Sequence, residues 1–583
     1  MTMSSSRKKF LEDLKVSDMS AEYQCLNILQ KTAWKINGSV YAVMREVWEK
    51  RLKIGKLPDQ SARGMENYPF EKSPQEFPKD SPEWKVYKQW ASKRAQVYDY
   101  NATQNGRKIQ VSETLEMAAE YLEFDRFYFI WQNDFRTRKY PLSVFLQPQA
   151  AEWGKSLLMF ANGVEIKNPE DARWLAIHGA NVFGNDKLPL NDRINWAYGY
   201  SDSAFLVASS PTEHYELWSD ADKPFLFLAW CFEWAAYHTA LEQGETFFTH
   251  LPCAADGTSN GIQHLSAILR DERGGRSVNL MPSIGPQDIY GEVAIDTKKK
   301  LADFIAACEE KEVYQLSDKE LRELGYAKKW LEFGISRKMT KRPTMIIPYS
   351  GTQQACRIYV EESYKEYLED GVAPAFDNAD VMRAVIFLTK QIWDAIGTVI
   401  EASKSVMQFI QKIAGLYGSV GVPMEWTTPT GALVRPLYFD KKEQKISTVI
   451  QGHIHRYTVI SNIEDKLDTR KMRTASAPNL IHSMDASALT LTVITANEVD
   501  GITDFAMVHD SFATHSPNMP ILSNVLRECF VEIYLIHDIM QELRDHAIEM
   551  LCPLGIPEEE IPIPPTKGTL DINKVLDSQY FFS

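Results

Sequence analysis

Cysteine pairs, long apolar runs and an excess of positive charge are all missing from this sequence. Its seven cysteines are scattered over 583 residues without a Cys-x-x-Cys pair. This argues against a zinc site or a disulfide framework and predicts free, buried thiols in a reducing compartment. The most apolar stretch, 225–240, contains Glu233 and His238 and is shorter than the ~20 residues that cross a bilayer. We therefore expect a buried helix there and no membrane association.

Charge and length narrow the class of protein further. With 64 Lys and Arg against 78 Asp and Glu, the net charge is −14. This net charge argues against a protein that coats nucleic acids non-specifically, but it permits a protein with a single positive cleft. Residues 1–14 lack the apolar run of a signal peptide. A chain of 583 residues is too long for one compact core, so we expect about three to five subdomains.

Helical periodicity dominates the chain, so we predict a mostly α fold with a small antiparallel sheet, of the α+β class. Apolar residues recur at intervals of three and four in the helical segments. The predicted helices are 21–56, 84–124, 301–327 and 381–417. Apolar and polar residues alternate among Pro and Gly in 424–460, which predicts strands and hairpins. The proline-rich stretch 66–83 is expected to be a turn-rich connector.

The first chemically suggestive segment, 250–264, contains Asp256. A short apolar run delivers Asp256 to its end, and Gly257 lets a ligand or a backbone approach closely. A helix with Leu265 and Leu269 on one face should follow. Taken alone, an aspartate in this position is more commonly the N-cap of such a helix. A metal-binding role and a capping role are not distinguishable from this segment.

The second segment, 334–351, places Arg337 and Lys341 four residues apart. On a helix both cations project from one face, near enough to hold one triphosphate. A solvated helix face is the commoner explanation for such a pair. Pro343 should kink this helix, and Pro348 should end it just before Tyr349. Taken alone, Tyr349 fits a core position with a satisfied hydroxyl.

The third segment, 505–515, has apolar residues on both sides of His509 and Asp510. This pattern predicts a hairpin with the acid at its tip, where an aspartate is usually structural. Upstream, His482 is expected at the start of a helix, where capping or packing is the ordinary role. Local patterns alone therefore leave both residues open to a structural explanation.

Together the three segments suggest one chemistry. Nucleotidyl transfer uses two Mg²⁺ ions to activate a hydroxyl and to stabilise the leaving pyrophosphate. Mg²⁺ typically takes only one or two carboxylates, which Asp256 and Asp510 could supply. Arg337 and Lys341 could stabilise the charge on the transferred phosphoryl group. The whole set, in this order, is typical of a nucleotide polymerase.

Residues from about 27 to 583 resemble the single-subunit RNA polymerases of bacteriophages and their mitochondrial and plastid relatives. The matching segments are 32–37, 134–138, 177–181, 256–257, 261–264, 279–280, 287–291, 340–342, 349, 479, 482–483, 509–511, 567–568 and 581–583. The resemblance implies a right-hand polymerase fold with palm, fingers and a partial thumb. It also implies DNA-directed RNA polymerase activity that uses two Mg²⁺ ions.

The resemblance further implies a role for individual residues. Asp256, Asp510 and the backbone carbonyl of Gly257 would hold the metal ions, and Lys341 would be the general acid. The implied nucleotide contacts are Arg337 and Lys187 with the triphosphate, Tyr349 and His482 with the ribose 2′-hydroxyl, and Arg138 and Tyr290 with the primer-template or the incoming nucleotide. A polar group aimed at the 2′-hydroxyl would be left unpaired by a deoxy substrate.

The family's organisation implies a division of the chain and a set of partners. The expected parts are 1–124 as N-terminal helices and partial thumb, 125–163, 247–272 and 483–583 as palm with a C-terminal foot, 164–246 as a palm insertion, and 273–482 as fingers. Within the fingers, 424–460 would correspond to a promoter-reading hairpin with 440–443 as its turn. The implied partners are template DNA, product RNA and ribonucleoside triphosphates. A phage-encoded enzyme of the host-cell cytoplasm, which could also travel in the virion, is expected over an organellar one.

Three departures from the family pattern stand out. Thr137 lies where the family usually has the glycine of Arg-Gly-Arg, and Ser350 follows Tyr349 where glycine is common. The large N-terminal promoter-binding domain of the phage enzymes is absent from the matched region. We therefore hypothesise that a second subunit supplies promoter recognition or melting, or that the enzyme starts on single-stranded or opened DNA.

Two other functions are alternatives to RNA synthesis. A family A DNA polymerase would share the two aspartates and the cationic helix. Such an enzyme generally has a glutamate soon after the first aspartate and His-Asp-Glu at the second, whereas Ser511 follows Asp510 here. A catalytically silent DNA-binding subunit is the other rival, and the retention of the reactive residues argues against it.

Overall fold

The computed structural model describes residues 5–377, 379–450 and 452–583. About 58% of the chain is helical, which confirms the mostly α class. Within the described residues, the strands form one three-stranded sheet and five two-stranded sheets, all antiparallel. The expectation of one small sheet was therefore too simple, because most strands are short and pair locally.

The N-terminal part consists of helices around one short strand. Its elements are α1 (Ser5–Val16), α2 (Ser20–Lys31), β1 (Trp34–Ile36), α3 (Gly38–Glu49) and α4 (Pro82–Tyr121). The prediction of a single helix over 21–56 is wrong, because β1 interrupts this segment and pairs with a later strand. Asn37 then starts α3 by accepting a hydrogen bond from the Val40 amide at 3.2 Å. The connector over 66–83 and the helix after it are confirmed, and Ser81 caps α4.

The next part alternates short strands with buried helices. Its elements are β2 (Trp131–Asn133), β3 (Lys139–Pro141), α5 (Glu152–Lys155), β4 (Leu158–Phe160), β5 (Val164–Ile166), α6 (Arg173–Phe183), α7 (Leu190–Gly199), α8 (Ser201–Ser209), α9 (Pro224–Gln243), β6 (Phe247–Thr249) and β7 (Cys253–Asp256). The buried helix expected over 225–240 is confirmed as α9. In the part of the chain that the structure describes, no helix is long and apolar enough to span a membrane.

A run of eight helices follows β7. They are α10 (Asn260–Leu269), α11 (Glu272–Ser277), α12 (Ile289–Glu309), α13 (Asp318–Phe333), α14 (Arg337–Met345), α15 (Gln353–Glu369), α16 (Val381–Val399) and α17 (Glu401–Ser419). The helices predicted over 301–327 and 381–417 are each split in two. Ser317 starts α13 through a capping box with Glu320, and the backbone of Ile400 breaks the second pair. Tyr349 ends a separate 3₁₀ turn, so α14 stops earlier than predicted.

The C-terminal part contains a long hairpin and the remaining two strands of the three-stranded sheet. Its elements are β8 (Trp426–Thr427), β9 (Leu433–Val434), β10 (Phe439–Ile450), β11 (His453–Leu467), α18 (Thr469–Glu498), β12 (Ala506–Val508), β13 (Ser511–Thr514), α19 (Met519–Ile536) and α20 (Ile539–Leu551). The strands expected within 424–460 are confirmed. The turn expected at 440–443 is wrong, because those residues lie in β10 and the chain reverses after Ile450.

His482 also differs from its predicted setting. It lies in the middle of α18, not at the start of a helix. The helix begins at Thr469, where Asp468 accepts a hydrogen bond from the Lys471 amide at 2.8 Å. It then continues through Pro478.

A fully buried ion pair joins distant parts of the chain. The side chains of Glu22 on α2 and Lys139 on β3 are both 0% exposed. The Lys139 ammonium also donates to the Thr137 carbonyl at 2.9 Å and to the Thr490 hydroxyl on α18. Thr430 donates to the other Glu22 oxygen at 2.7 Å. The pair is therefore well satisfied and fixes α2, β3 and α18 to one another.

Removing one partner of this pair should be far more harmful than removing both. We expect Lys139→Met to lower the free energy of unfolding by about 3–5 kcal/mol, because Glu22 would remain as an uncompensated buried charge. Adding Glu22→Gln should recover much of that loss. Urea unfolding of the single and double variants measures both effects. A single variant as stable as the double variant would contradict this account of the core.

Candidate active site

The three-stranded sheet brings Asp256 and Asp510 together. Its order is β12-β13-β7, and Ser511 at the start of β13 pairs with Asp256 at the end of β7. Asp510 occupies the turn between β12 and β13, and its carbonyl accepts a hydrogen bond from the Gly257 amide at 2.9 Å. The predicted hairpin is thus confirmed. The capping alternative for Asp256 is wrong, because Ser259 occupies the N-cap position of α10.

The two carboxylates have different electrostatic surroundings. Burial and the neighbouring Asp256 raise the pKa of Asp510 above its ordinary 3.8. Burial acts in the same direction on Asp256, but Lys223 and Ser511 outweigh it, so the pKa of Asp256 is lowered. The Lys223 ammonium lies 3.3 Å from the Asp256 carboxylate, whose side chain is still 53% exposed. An ionised Asp256 therefore faces open space beside a cation.

That space is a cleft of about 470 Å³. Eight of the ten residues predicted to act in catalysis, metal binding or nucleotide binding line it, and they come from separate parts of the chain. They are Lys187, Asp256, Gly257, Tyr290, Arg337, Lys341, Tyr349 and Asp510. Arg138 and His482 are the two that lie outside this lining. Tertiary folding thus gathers most of the predicted set around one cavity.

Helix α14 presents its cations to this cleft. Arg337 donates from Nε to the Asp288 carboxylate at 2.6 Å, and its guanidinium lies 5.2 Å from the centre of the Tyr290 ring. Thr340 donates to the Tyr290 carbonyl at 2.8 Å. These contacts orient α14, while Lys341 is exposed and lines the cleft. The alternative explanation, a solvated helix face, also applies, because this face is in contact with the water that fills the cleft.

Tyr349 and His482 form a neutral, polar corner of the site. Their ring centres are 5.0 Å apart, and Arg136 donates to His482 Nδ1 at 2.7 Å. Burial, with Arg138 and Arg136, lowers the pKa of His482 to about 2, so the ring is neutral with its proton on Nε2. Burial raises the pKa of Tyr349 to about 12. At neutral pH the tyrosine keeps its hydroxyl proton, and both groups can donate a hydrogen bond.

A close approach of two segments fixes the position of Tyr349. A Cβ atom built on Gly261 of α10 would lie 2.9 Å from Pro348 Cβ and 3.3 Å from the Tyr349 hydroxyl. Glycine is therefore required for α10 to pack this closely against the 3₁₀ turn that carries the tyrosine.

Arg138 is held beside the cleft by an acid that the sequence did not reveal. Its Nε donates to Asp485 Oδ1 at 3.0 Å, and its second guanidinium nitrogen pairs with Oδ2. Burial raises the pKa of Asp485 to about 7, although Arg138 opposes this shift. Contact between Arg138 and a nucleic acid or nucleotide stays a prediction, since in this structure its guanidinium is bound to Asp485.

Two further lysines near the carboxylates were missed by the sequence analysis. Lys223 precedes Pro224 at the start of α9, in an N-cap position where Ser, Thr, Asp or Asn is usual. This unusual residue at the N-cap could have indicated a functional role for Lys223. Lys155 ends α5 and lines the same cleft, but its local sequence gave no indication. Both cations increase the capacity of the cleft to bind a polyanion.

The carboxylate pair is the feature that could hold metal ions. Within 5–377, 379–450 and 452–583, no group of three or more His, Cys, Asp or Glu side chains is arranged to hold a metal ion. Two adjacent carboxylates with open space beside them nevertheless suit Mg²⁺, which completes its coordination with water and phosphate oxygens. All seven cysteines are free, and six are buried, as predicted.

Two acids at the end of a sheet, opposite a helix that bears cations, are typical of proteins that act on nucleotide phosphates. Comparison with known proteins gives the particular family. The model of the family DNA-dependent RNA polymerase matches residues 166–553, which is more than half of the chain. The chain belongs to this family, and the resemblance noted in the sequence is confirmed.

Individual relatives agree with this assignment. The chain is 31% identical to T7 RNA polymerase of Escherichia phage T7 over 97% of its own length and 65% of the relative. It is 30% identical to a DNA-directed RNA polymerase of Enterobacteria phage T3, with the same coverage. It is 29% identical to mitochondrial DNA-directed RNA polymerase 1 of Arabidopsis thaliana over 96% of this chain and 54% of the relative. The chain thus spans between half and two thirds of the length of these relatives.

Two of the positions that depart from the expected family pattern have an unusual backbone conformation. Thr137 and Ser350 both have left-handed backbone conformations, with φ of 67° and 59°. Glycine adopts such conformations at no steric cost, whereas a side chain is strained there. Glycine at either position would therefore keep this backbone at a lower energy.

Replacing Ser350 by glycine should stabilise the protein. We expect Ser350→Gly to raise the free energy of unfolding by about 1 kcal/mol, because the left-handed strain is relieved. Ser405→Gly is the matched control, since Ser405 lies within α17 and glycine there should cost roughly 0.5 kcal/mol. Urea unfolding midpoints compare the two. Destabilisation of similar size in both variants would contradict the strain at Ser350.

Proposed function

We propose that the chain is a DNA-directed RNA polymerase that performs template-dependent ribonucleotidyl transfer with two Mg²⁺ ions. The observation that carries this proposal is the register that puts Asp256 beside Ser511 and Asp510, in a cleft that Arg337 and Lys341 also line. Phage and organellar relatives named as RNA polymerases support it. DNA template, RNA product and ribonucleoside triphosphates are the proposed partners.

In this proposal Asp256 and Asp510 hold the metal ions, with the Gly257 carbonyl as a further ligand. When bound, Mg²⁺ lowers the pKa of the attacking hydroxyl and neutralises charge on the leaving pyrophosphate. Lys341 protonates the leaving group and contacts a phosphate. Arg337 and Lys187 would bind the triphosphate, and Lys223, which pairs with Asp256 in this structure, would be a further cation beside it.

The neutral corner of Tyr349 and His482 recognises the ribose of the incoming nucleotide in this proposal. A protonated Tyr349 and a neutral His482 can each donate to the ribose 2′-hydroxyl, and a deoxy substrate would leave such a donor unpaired. Tyr290 completes this pocket through its contact with Arg337. Arg138, held by Asp485, is proposed to face the primer-template or the nucleotide.

We also propose the hand-like division of the chain. The segments 125–163, 247–272 and 483–583 form the palm, and the last two contain the strands next to the two acids. The segment 164–246 is inserted in the palm, 273–482 with α14 forms the fingers, and 1–124 contributes a partial thumb. The hairpin of β10 and β11 is the candidate for promoter contact. The host-cell cytoplasm of a phage infection stays the proposed location, although organellar relatives also exist.

The two acids should be essential for RNA synthesis. We expect Asp256→Asn and Asp510→Asn each to reduce ribonucleotide incorporation on a single-stranded template at least ~100-fold, because metal binding supplies several kcal/mol of transition-state stabilisation. Asp500→Asn is the control, since Asp500 is exposed just after α18. Full incorporation by Asp510→Asn would remove this acid from catalysis, whereas no incorporation by the wild-type chain would favour a catalytically silent subunit.

The same assay separates the remaining alternatives by its templates and nucleotides. Incorporation of deoxyribonucleotides in place of ribonucleotides would favour a family A DNA polymerase. Single-stranded, premelted and fully duplex templates test whether initiation by these 583 residues needs opened DNA or a second subunit. Transcription from a fully duplex promoter by this chain alone would refute that need.

Sugar selection should depend on the Tyr349 hydroxyl. We expect Tyr349→Phe to lower the preference for ribonucleotides over deoxyribonucleotides about tenfold, the effect of removing one hydrogen bond, with a smaller effect on the incorporation rate. Gly261→Ala should weaken discrimination as well, because its new methyl group would displace Pro348 and Tyr349. Gly415→Ala is the matched control, since it faces open space. Unchanged discrimination in Tyr349→Phe would remove the hydroxyl from this role.

A further inference from the structure

Lys223 is a cation in an unfavourable place. It occupies the N-cap position of α9, where the helix dipole repels positive charge. Its ammonium lies 3.3 Å from the carboxylate of Asp256, and the two side chains are 38% and 53% exposed. Asp256 is the last residue of β7 and a candidate metal ligand. A charge that the helix end disfavours is therefore held against a carboxylate of the candidate metal site.

The backbone around Lys223 is fixed from two sides. The Lys223 amide donates to the Val182 carbonyl, near the end of α6, at 2.9 Å. The Lys56 ammonium, from the loop after α3, donates to the Ala221 carbonyl at 2.6 Å. Beyond this fixed base the lysine has a flexible four-carbon stem. The ammonium can therefore reach an anion beside Asp256 without any movement of the backbone.

The start of α9 has few free amides of its own. Pro224, its first residue, has no N–H, and the Leu226 amide donates to the Glu152 carboxylate on α5 at 2.9 Å. Helix N-termini often bind anions through free amides in these positions. Because two of the first three positions of α9 offer none, the Lys223 ammonium is the main group at this helix end that can meet a phosphate.

The ion pair of Lys223 differs from those of two other cations in the cleft. Lys187 pairs with its neighbour Asp186 at 2.9 Å, and Arg337 pairs with Asp288 at 2.6 Å. Neither of these acids is a candidate metal ligand. Of the three cations, Lys223 is therefore the one whose partner is also expected to bind a metal ion.

An ammonium and a divalent cation compete for one carboxylate. Each is attracted by the negative charge of Asp256, and at a separation of a few ångströms the two cations repel each other. A nucleoside triphosphate changes this balance. Its phosphate oxygens give the ammonium a second partner in the same cleft and also coordinate the ion. Binding of the ion and binding of the nucleotide would then favour each other.

We propose that Lys223 competes with the divalent cation for Asp256 and thereby couples binding of the ion to binding of the nucleotide. This inference rests on the proposed function and gives Lys223 a role beyond that of one more cation in the cleft. Without nucleotide, the ammonium weakens binding of the ion at Asp256. With nucleotide, the ammonium binds the triphosphate, and the ion gains the full charge of the carboxylate.

The first test measures binding of Mn²⁺, which prefers the same oxygen ligands as Mg²⁺, to the full chain without nucleotide. Electron paramagnetic resonance reports the concentration of free Mn²⁺. We expect Lys223→Met to bind Mn²⁺ about tenfold more tightly than the wild-type chain, a coupling of ordinary size. Lys223→Gln, which also lacks the charge, should show the same tightening, whereas Lys223→Arg should bind like the wild type. Wild-type affinity in Lys223→Met and Lys223→Gln would overturn the proposal.

Lys187→Met is the matched control for the loss of a positive charge from the cleft. Lys187 lines the same cleft but pairs with Asp186. This variant should weaken nucleotide binding without tightening the binding of Mn²⁺ alone. Equal tightening in Lys187→Met and Lys223→Met would indicate a general effect of charge and would overturn competition at Asp256. Thermal unfolding in EDTA checks that each variant is folded.

The second test measures the coupling itself. The ligand is a fluorescent ATP analogue with a methylene bridge between its α- and β-phosphates, which cannot be incorporated. Its affinity is compared in EDTA and in saturating Mn²⁺. We expect the gain in affinity that Mn²⁺ gives to be about tenfold smaller in Lys223→Met than in the wild type, since coupling is reciprocal. An equal gain in both chains would overturn the proposal.

RNA synthesis by the wild-type chain on an open template is measured separately. Failure there would overturn the proposed function. Equal Mn²⁺ binding by the wild type and Lys223→Met, in an enzyme that is active, would overturn only the role of Lys223.

Discussion

The antiparallel register between β7 and β13 is the constraint on which the active site depends. It pairs Ser511 with Asp256, so the next residue back along the chain, Asp510, must lie beside the first acid. A shift of one residue would turn alternate side chains to the other face of the sheet. Both strands are short, and the packing of α6 on β7 and of α19 on β13 keeps this register. The two acids are far apart in the chain, and the backbone hydrogen bonds of this register hold them next to each other.

The rest of the cleft is arranged around this pair in complementary ways. Cations approach from α14 and from the start of α9, where charge on a phosphate would be greatest. The neutral corner of Tyr349 and His482 lies apart from them, and Arg136 and burial keep the histidine uncharged. An acidic chain can therefore present a locally cationic cleft, because five lysine and arginine side chains line it.

Backbone strain is concentrated near the same site. Among the residues that the structure describes, seven non-glycine residues have positive φ, and four of them adjoin the site. These are Thr137 between Arg136 and Arg138, Ser259 in the loop after Asp256, Asn279, and Ser350 directly after Tyr349. Asn279 donates to the Thr258 hydroxyl at 2.9 Å, which ties its strained backbone to the loop after Asp256. Such conformations persist only where the surrounding structure holds them in place.

How much could be predicted from the sequence differs between local and distant features. Helix type, the hairpin around Asp510, the buried α9 and the free cysteines follow from periodicity and composition, so they were predicted correctly. The boundaries of the elements were not predicted correctly, because tertiary pairing decides them. For example, β1 interrupts the helix expected over 21–56, and α18 continues through Pro478. The identity of the site residues came from motif spacing and a family resemblance, since each residue alone had a commoner structural role.

Residue order is enough to specify which side chains carry reactive groups and to which family the chain belongs, because both are properties of the linear sequence. Three other features exist only in the folded chain. Lys223 faces Asp256, Asp485 binds Arg138, and Arg136 binds His482. These contacts join residues far apart in the chain. No local pattern encodes such distances, which arise when the strands and helices pack.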